Sequence, residues 1–152
     1  MDMIKFPYAI SDFHKMRTRK MLYLDRTDAI SALEQAGEQL VFLRPRRFGK
    51  SLLLSMLANY YDINTAGEFE TLFGGLAVGN NPTSEHNQYL MLRWDFSKVS
   101  GQGNIEQIKQ NLFEHINTTM REFVEKYRSI LTTTPNIIAD NGIASFDSLA
   151  GV

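Results

Sequence analysis

The chain is organised around residues 40–54, which read Leu40-Val41-Phe42-Leu43-Arg44-Pro45-Arg46-Arg47-Phe48-Gly49-Lys50-Ser51-Leu52-Leu53-Leu54. The first four residues are apolar and include β-forming types, so they predict a strand that ends at Arg44. The leucine-rich residues that follow Ser51 predict a helix. A strand, a short turn and a helix in this order predict a phosphate-binding loop, because the backbone N–H groups at the start of a helix can receive an anion.

Each part of this loop has an expected role in binding a nucleotide. Lys50 is expected to reach the terminal phosphates, and the Ser51 hydroxyl is expected to ligate magnesium. Arg46 or Arg47 is expected to add a cationic contact to phosphate oxygens. With the backbone N–H groups of residues 48–52, the predicted nucleotide-binding residues are Arg46, Arg47, Phe48, Gly49, Lys50, Ser51 and Leu52. The expected ligands are ATP and magnesium, with Ser51 as the metal-binding residue.

The loop departs from the usual pattern, which has glycine at the position of Arg44. Pro45 fixes its own φ and pushes Arg44 towards an extended conformation, so the turn is stiff by a different route. Three arginines and one lysine are crowded into seven residues, which favours an anionic partner. The alternative is a module without nucleotide chemistry, whose basic loop contacts nucleic acid or an acidic protein surface.

The bulk properties indicate one globular domain. The chain has 152 residues, of which 43% are hydrophobic and 22% are charged, which is ordinary for a folded domain. The absence of cysteine excludes disulfides and thiolate metal sites and favours a reducing, cytoplasmic setting. No apolar run approaches the roughly 20 residues that span a membrane, so no membrane association is expected. Residues 1–50 carry ten Lys and Arg against six Asp and Glu, which suits an anionic ligand.

The order of predicted elements indicates an α/β fold with a mostly parallel sheet flanked by helices. Strands are predicted at residues 22–25, 40–43 and 89–96. Helices are predicted around Phe13 and Met16, over residues 28–36, from Lys50 to about Tyr61, around residues 69–73, and after the cap residue Asn104. This arrangement predicts a partial P-loop NTPase-like domain over residues 1–152.

The acidic residue that a P-loop ATPase needs is not evident. Such an enzyme holds magnesium with an acid at the end of a second strand, and Asp95 is the only internal candidate. An aspartate in this position more often caps a turn, so no catalytic residue is predicted. His14, His86 and His115 are scattered and form no metal-binding or nucleophilic pattern.

Several segments together resemble the prokaryotic AAA-ATPase-like family. They are residues 6–13, 23–27, 42–52, 72–76 and 95–97, of which Arg44-Pro45-Arg46-Arg47-Phe48-Gly49-Lys50-Ser51 is the most specific. The resemblance implies that arginine is usual at position 44 and that Gly49, Lys50 and Ser51 contact phosphate and magnesium. It also implies a magnesium-binding acidic strand, and often a nuclease-like domain of the PD-(D/E)xK class, further along a longer protein. The chain is therefore expected to bind ATP as the N-terminal part of an ATPase and to lack hydrolysis by itself.

Overall fold

The computed structural model describes residues 5–151, which divide between Leu90 and Met91 into two compact units. The first unit contains α1 (Phe13–Thr18), α2 (Ile30–Gln35), α3 (Lys50–Tyr61), α4 (Phe69–Phe73) and α5 (Ala77–Asn80). The second unit contains α6 (Ile105–Lys126) and α7 (Gly142–Asp147). Short 3₁₀ helices cover Thr27–Ala29, Ile63–Glu68, Phe96–Lys98 and Ser148–Gly151.

The predicted α/β fold with a mostly parallel sheet is wrong. Residues 5–151 contain no strand and no sheet, and the chain is largely helical. Two isolated β-bridges are present, one between Lys5 and Met21 and one between Asp62 and Tyr89. None of the three predicted strands, at residues 22–25, 40–43 and 89–96, is formed.

The missing strands have a common physical cause. A β-strand is stable only where a neighbouring strand pairs with its backbone N–H and C=O groups. Among the described residues nothing pairs with residues 40–43 as a strand, and Val41 and Leu43 are each 85% exposed. β-forming side chains therefore do not suffice to make a strand at this position.

The core of the first unit is built by helices that pack on α3. Phe13 of α1, Met56 and Tyr60 of α3, and Leu72 and Phe73 of α4 are buried together. The ring of Phe73 contacts those of Phe13 and Tyr60, with centroid distances of 5.1 Å to Phe13 and 5.3 Å to Tyr60. The sequence predicted that the helices flank a sheet, but α3 packs against other helices instead.

The helix predicted from Lys50 to about Tyr61 is confirmed, as is the helical turn at residues 69–73. The N-cap of α1 is Asp12, since the Asp12 Oδ1 atom accepts a 3.0 Å bond from the Lys15 amide. The segment predicted as a helix over residues 28–36 forms a 3₁₀ turn followed by α2.

The second unit consists of one long helix with a short helix packed against it. Asn104 caps α6 as predicted, because its Oδ1 accepts a 2.9 Å bond from the Gln107 amide. The buried face of α6 comprises Phe113, Ile116, Asn117, Met120 and Phe123. Gly142 of α7 lies so close to this helix that an added Cβ would be 3.1 Å from the Phe113 Cα atom. None of the helices within residues 5–151 is both long enough and apolar enough to cross a membrane.

Candidate functional site

The start of α3 presents unpaired backbone donors. Leu53 makes the first bond of the helix, donating its N–H to the Gly49 carbonyl at 2.8 Å. The N–H groups of residues 50–52 precede this bond, so they have no acceptor within the helix. The N-terminus of a helix also carries a partial positive charge. This end of α3 is therefore suited to an anion.

The turn before α3 has unusual backbone angles. Gly49 has φ 75°, a left-handed conformation that glycine adopts without a steric penalty. Arg47 has φ 68°, which is uncommon for a residue with a β-carbon. All residues from 41 to 49 are exposed. The turn therefore holds a strained conformation at the surface.

The Lys50 side chain folds back onto this turn. Its Nζ atom donates to the Pro45 carbonyl at 2.9 Å and also to the Arg44 carbonyl. Both acceptors are neutral carbonyl groups of the turn itself. The ammonium group therefore closes the turn on itself and lies at the same end of α3 as the free N–H groups.

A cavity of about 710 Å³ adjoins this turn. It is lined by two segments that are far apart in the sequence, residues 7–11 and residues 46–52 without Phe48. The cationic side chains in its lining are Arg46, Arg47 and Lys50, and no carboxylate is part of the lining. The cavity is therefore positively charged on the side of α3.

Six of the seven predicted site residues line this cavity. Phe48 does not, and its side chain is largely exposed at 62%. Sequence reasoning did not include residues 7–11 in the site. The sequence contains one indication that residues 7–11 matter, because they belong to a segment that resembles the family. Nothing local to that segment indicates a contact with a loop some 40 positions later.

Residues 7–11 are anchored to α3 through the start of α1. The buried Ser55 hydroxyl of α3 accepts a 2.9 Å bond from the Phe13 amide. Asp12 caps the N-terminus of α1. Ala9 has φ 54°, a left-handed angle that is costly for a non-glycine residue. One wall of the cavity is thus connected directly to the helix that provides the other wall.

Magnesium fits this site only in part. The Ser51 hydroxyl is exposed and is an oxygen ligand of the kind that magnesium accepts. Within residues 5–151 no three His, Asp or Glu side chains are grouped closely enough to hold a metal ion. The residues present therefore suit a magnesium ion that takes its other ligands from phosphate oxygens and water.

Asp95 has a local structural role. Its Oδ1 atom accepts bonds from the Ser97 hydroxyl at 2.6 Å and the Ser97 amide at 3.2 Å, and so caps the 3₁₀ helix Phe96–Lys98. These bonds, with help from the charges of Lys98 and Arg93, lower the pKa of Asp95 below its usual value. The prediction that this aspartate caps a turn is confirmed.

The class of protein follows from comparison with known families. Residues 7–148 match the AAA-ATPase-like family, described as predicted AAA-ATPase, and the chain belongs to this family. The match contains both walls of the cavity. Membership links the chain to ATP at a coarse level, through the description of the family.

One curated relative is described as "Uncharacterized protein in vnfD 5'region" from Azotobacter chroococcum mcd 1. It is 36% identical over 95 residues, a segment that covers 62% of this chain and 15% of the relative. The chain therefore matches only a small part of that protein. No solved structure matches the chain.

Proposed function

We propose that this chain binds a nucleoside triphosphate, with ATP as the expected ligand, through residues 46–52 at the start of α3. The observation that best supports this is the cavity lined by Arg46, Arg47, Lys50 and Ser51 with no carboxylate among its lining residues. A triphosphate carries several negative charges at neutral pH, and these complement three cationic side chains. Membership of a family described as predicted AAA-ATPase supports the same ligand.

The backbone supports phosphate binding independently of the side chains. The left-handed angle of Gly49 turns the chain into α3, and no atom lies within 4 Å of the position that a Cβ on Gly49 would take. A phosphate group can therefore approach the N–H groups of residues 50–52 without a steric obstacle. Helix starts with this geometry bind anions through their N–H groups and the helix dipole.

Lys50 is proposed to exchange partners when the nucleotide binds. In the structure its ammonium group is bonded to the Arg44 and Pro45 carbonyls. Phosphate oxygens are charged and form stronger hydrogen bonds with an ammonium group than neutral carbonyls do. Lys50 therefore moves from the turn to the phosphates, and Ser51 holds magnesium beside them. Magnesium bound with the nucleotide neutralises part of the phosphate charge.

For this chain we propose nucleotide binding and not hydrolysis. ATP hydrolysis needs an acidic group that holds the metal and a group that orients water, and no carboxylate lines the cavity. Hydrolysis, and the nuclease-like domain that the resemblance implies, are proposed only for a longer protein that contains this segment.

Isothermal titration calorimetry with Mg-ATP tests the proposal. Lys50→Ala removes a charge-assisted hydrogen bond, and we expect a loss of about 1.5–3 kcal/mol, or about 10- to 150-fold in affinity. Lys15→Ala is the matched control, because Lys15 is an exposed lysine of α1 outside the cavity lining. Its affinity should stay within about twofold of the wild type. Equal Mg-ATP affinity of the wild type and Lys50→Ala would refute the assignment.

A further inference from the structure

We propose that Tyr8 recognises the base of the bound nucleotide by stacking, and that residues 7–11 form the base-facing wall of the cavity. This inference rests on the proposed function, since it assigns the part of the ligand that lies beyond the phosphates. It adds a specificity-determining residue that lies some 40 positions before the loop at residues 46–52.

The two walls of the cavity differ in chemistry. The wall at the start of α3 carries the cationic groups of Arg46, Arg47 and Lys50. The opposite segment consists of Pro7, Tyr8, Ala9, Ile10 and Ser11, none of which is charged. A ligand made of phosphate alone would leave this second segment in water. A nucleotide has an anionic end for the first wall and a flat aromatic base for the second.

Tyr8 is available for such a contact. It lines the cavity and is 92% exposed, and no contact of its ring with another aromatic residue is present in the described part of the chain. An aromatic ring can stack on a base because both have flat, apolar faces that lose water on contact. Binding would therefore cover a ring that the free protein leaves in solvent.

The chain that follows Tyr8 is anchored at Phe13, where α1 begins. Ala9 adopts φ 54°, and such strain persists where the surrounding structure determines the conformation. The anchor is the bond from the Phe13 amide to the buried Ser55 hydroxyl of α3. The volume of about 710 Å³ lies within the range of about 300–1,000 Å³ that ligand sites usually have. Space for a base and a ribose is therefore present beside the phosphate-facing wall.

The test compares two ligands that share the same phosphate chain. Mg-ATP and magnesium tripolyphosphate are titrated into the wild type, Tyr8→Ala, Tyr8→Phe and Lys50→Ala, each as the full 152-residue chain. We expect Tyr8→Ala to weaken ATP binding about 5- to 150-fold, which is the range for loss of one base–aromatic stack. Tripolyphosphate binding should stay within about twofold. Tyr8→Phe keeps the ring and should bind both ligands as the wild type does.

Phe6→Ala is the matched control, because Phe6 is an exposed aromatic residue two positions before Tyr8 that does not line the cavity. It should leave both affinities unchanged. Unchanged ATP binding by Tyr8→Ala, or an equal loss for both ligands, would overturn the role of Tyr8 while the proposed nucleotide site stands. A loss in Tyr8→Phe as large as in Tyr8→Ala would assign the effect to the hydroxyl and overturn stacking. If the wild type binds neither ligand, the proposed function and this inference both fail.

Discussion

At the scale of single residues, Asp25 and Thr27 tie the segment before α2 to the start of α5. The Asp25 Oδ1 atom accepts the Thr27 amide at 2.9 Å and the Thr27 hydroxyl at 2.7 Å, while Oδ2 accepts the Ala77 amide at 2.7 Å. The Thr27 hydroxyl in turn accepts the Val78 amide at 3.1 Å. These two side chains therefore supply the cap that α5 lacks in its own sequence.

The hydrogen bonds of Asp25 make part of the stability dependent on pH. Partial burial by itself would raise the pKa of Asp25, but the bonds from Thr27 and Ala77 and the charge of Arg17 lower it below the usual value. A carboxyl group whose pKa is lower in the folded chain stabilises it above the unfolded value of about 3.9. That contribution is lost as the pH falls below this value and through the folded pKa.

Asp25→Asn tests this role. The amide keeps an oxygen for Thr27 but has an NH₂ group where Ala77 needs an acceptor, so we expect a loss of about 1 kcal/mol in the free energy of unfolding at pH 6. The difference from the wild type should shrink at pH 3, which lies below the unfolded pKa of about 3.9, because proton binding then favours the unfolded wild-type chain. Urea unfolding at both pH values measures this. Asp28→Asn, at an exposed neighbouring carboxylate, serves as the control, and a difference that grows at pH 3 would contradict the assignment.

At the scale of elements, α1 and α3 are joined by a bond between backbone and side chain. The Phe13 amide at the start of α1 donates to the Ser55 hydroxyl in the middle of α3, and both residues are buried. A second link runs from Arg17 of α1 to the carbonyls of Leu72 at 2.6 Å and Gly74 at 2.8 Å, at the end of α4. Since α1 directly follows residues 7–11, these bonds also position one wall of the cavity.

Ser55→Ala should weaken the contact between α1 and α3. The substitution leaves the buried Phe13 amide without its acceptor, and we expect the free energy of unfolding to fall by about 1–3 kcal/mol. Chemical denaturation followed by circular dichroism measures the change. Ser31→Ala is the matched control, because Ser31 lies on the exposed face of α2 and its replacement should change stability by less than about 0.5 kcal/mol. A loss no larger than that of Ser31→Ala would show that the bond does not stabilise the fold.

At the scale of the whole molecule, the separation of binding from hydrolysis is testable. Binding needs the cationic wall and the start of α3, whereas hydrolysis also needs an acid that holds the metal. No carboxylate lines the cavity, and the Asp95 carboxylate is taken up in capping a 3₁₀ helix. We therefore expect residues 1–152 to bind Mg-ATP and to release phosphate at the background rate.

Phosphate release at saturating ATP measures this, with Asp95→Asn as the second variant. Because Asp95 accepts its bonds from Ser97, its replacement should leave Mg-ATP affinity within about twofold. A longer protein that adds an acidic residue to the site should gain turnover. Robust turnover by the wild-type chain that disappears in Asp95→Asn would show that Asp95 is a catalytic acid and that the short chain is a complete enzyme.

Local sequence patterns predicted α3, the start of α6 and the position of the loop. The bounds of α3 and the Asn104 cap of α6 are as predicted, because helical hydrogen bonds join residues four apart and apolar spacing shows which face is buried. The turn before α3 was also located correctly, since Gly49 and Pro45 act through their own backbone angles.

The tertiary structure decided what depends on distant partners. Residues 40–43 carry a strand-like pattern but form no strand, because strand pairing requires a neighbour that no local pattern specifies. The second wall of the cavity was missed for the same reason. Tyr8 and Lys50 line one cavity although they lie far apart in the sequence. Contacts such as the bond from Phe13 to Ser55, 42 positions later, hold α1 against α3, and contacts of that range are set by packing.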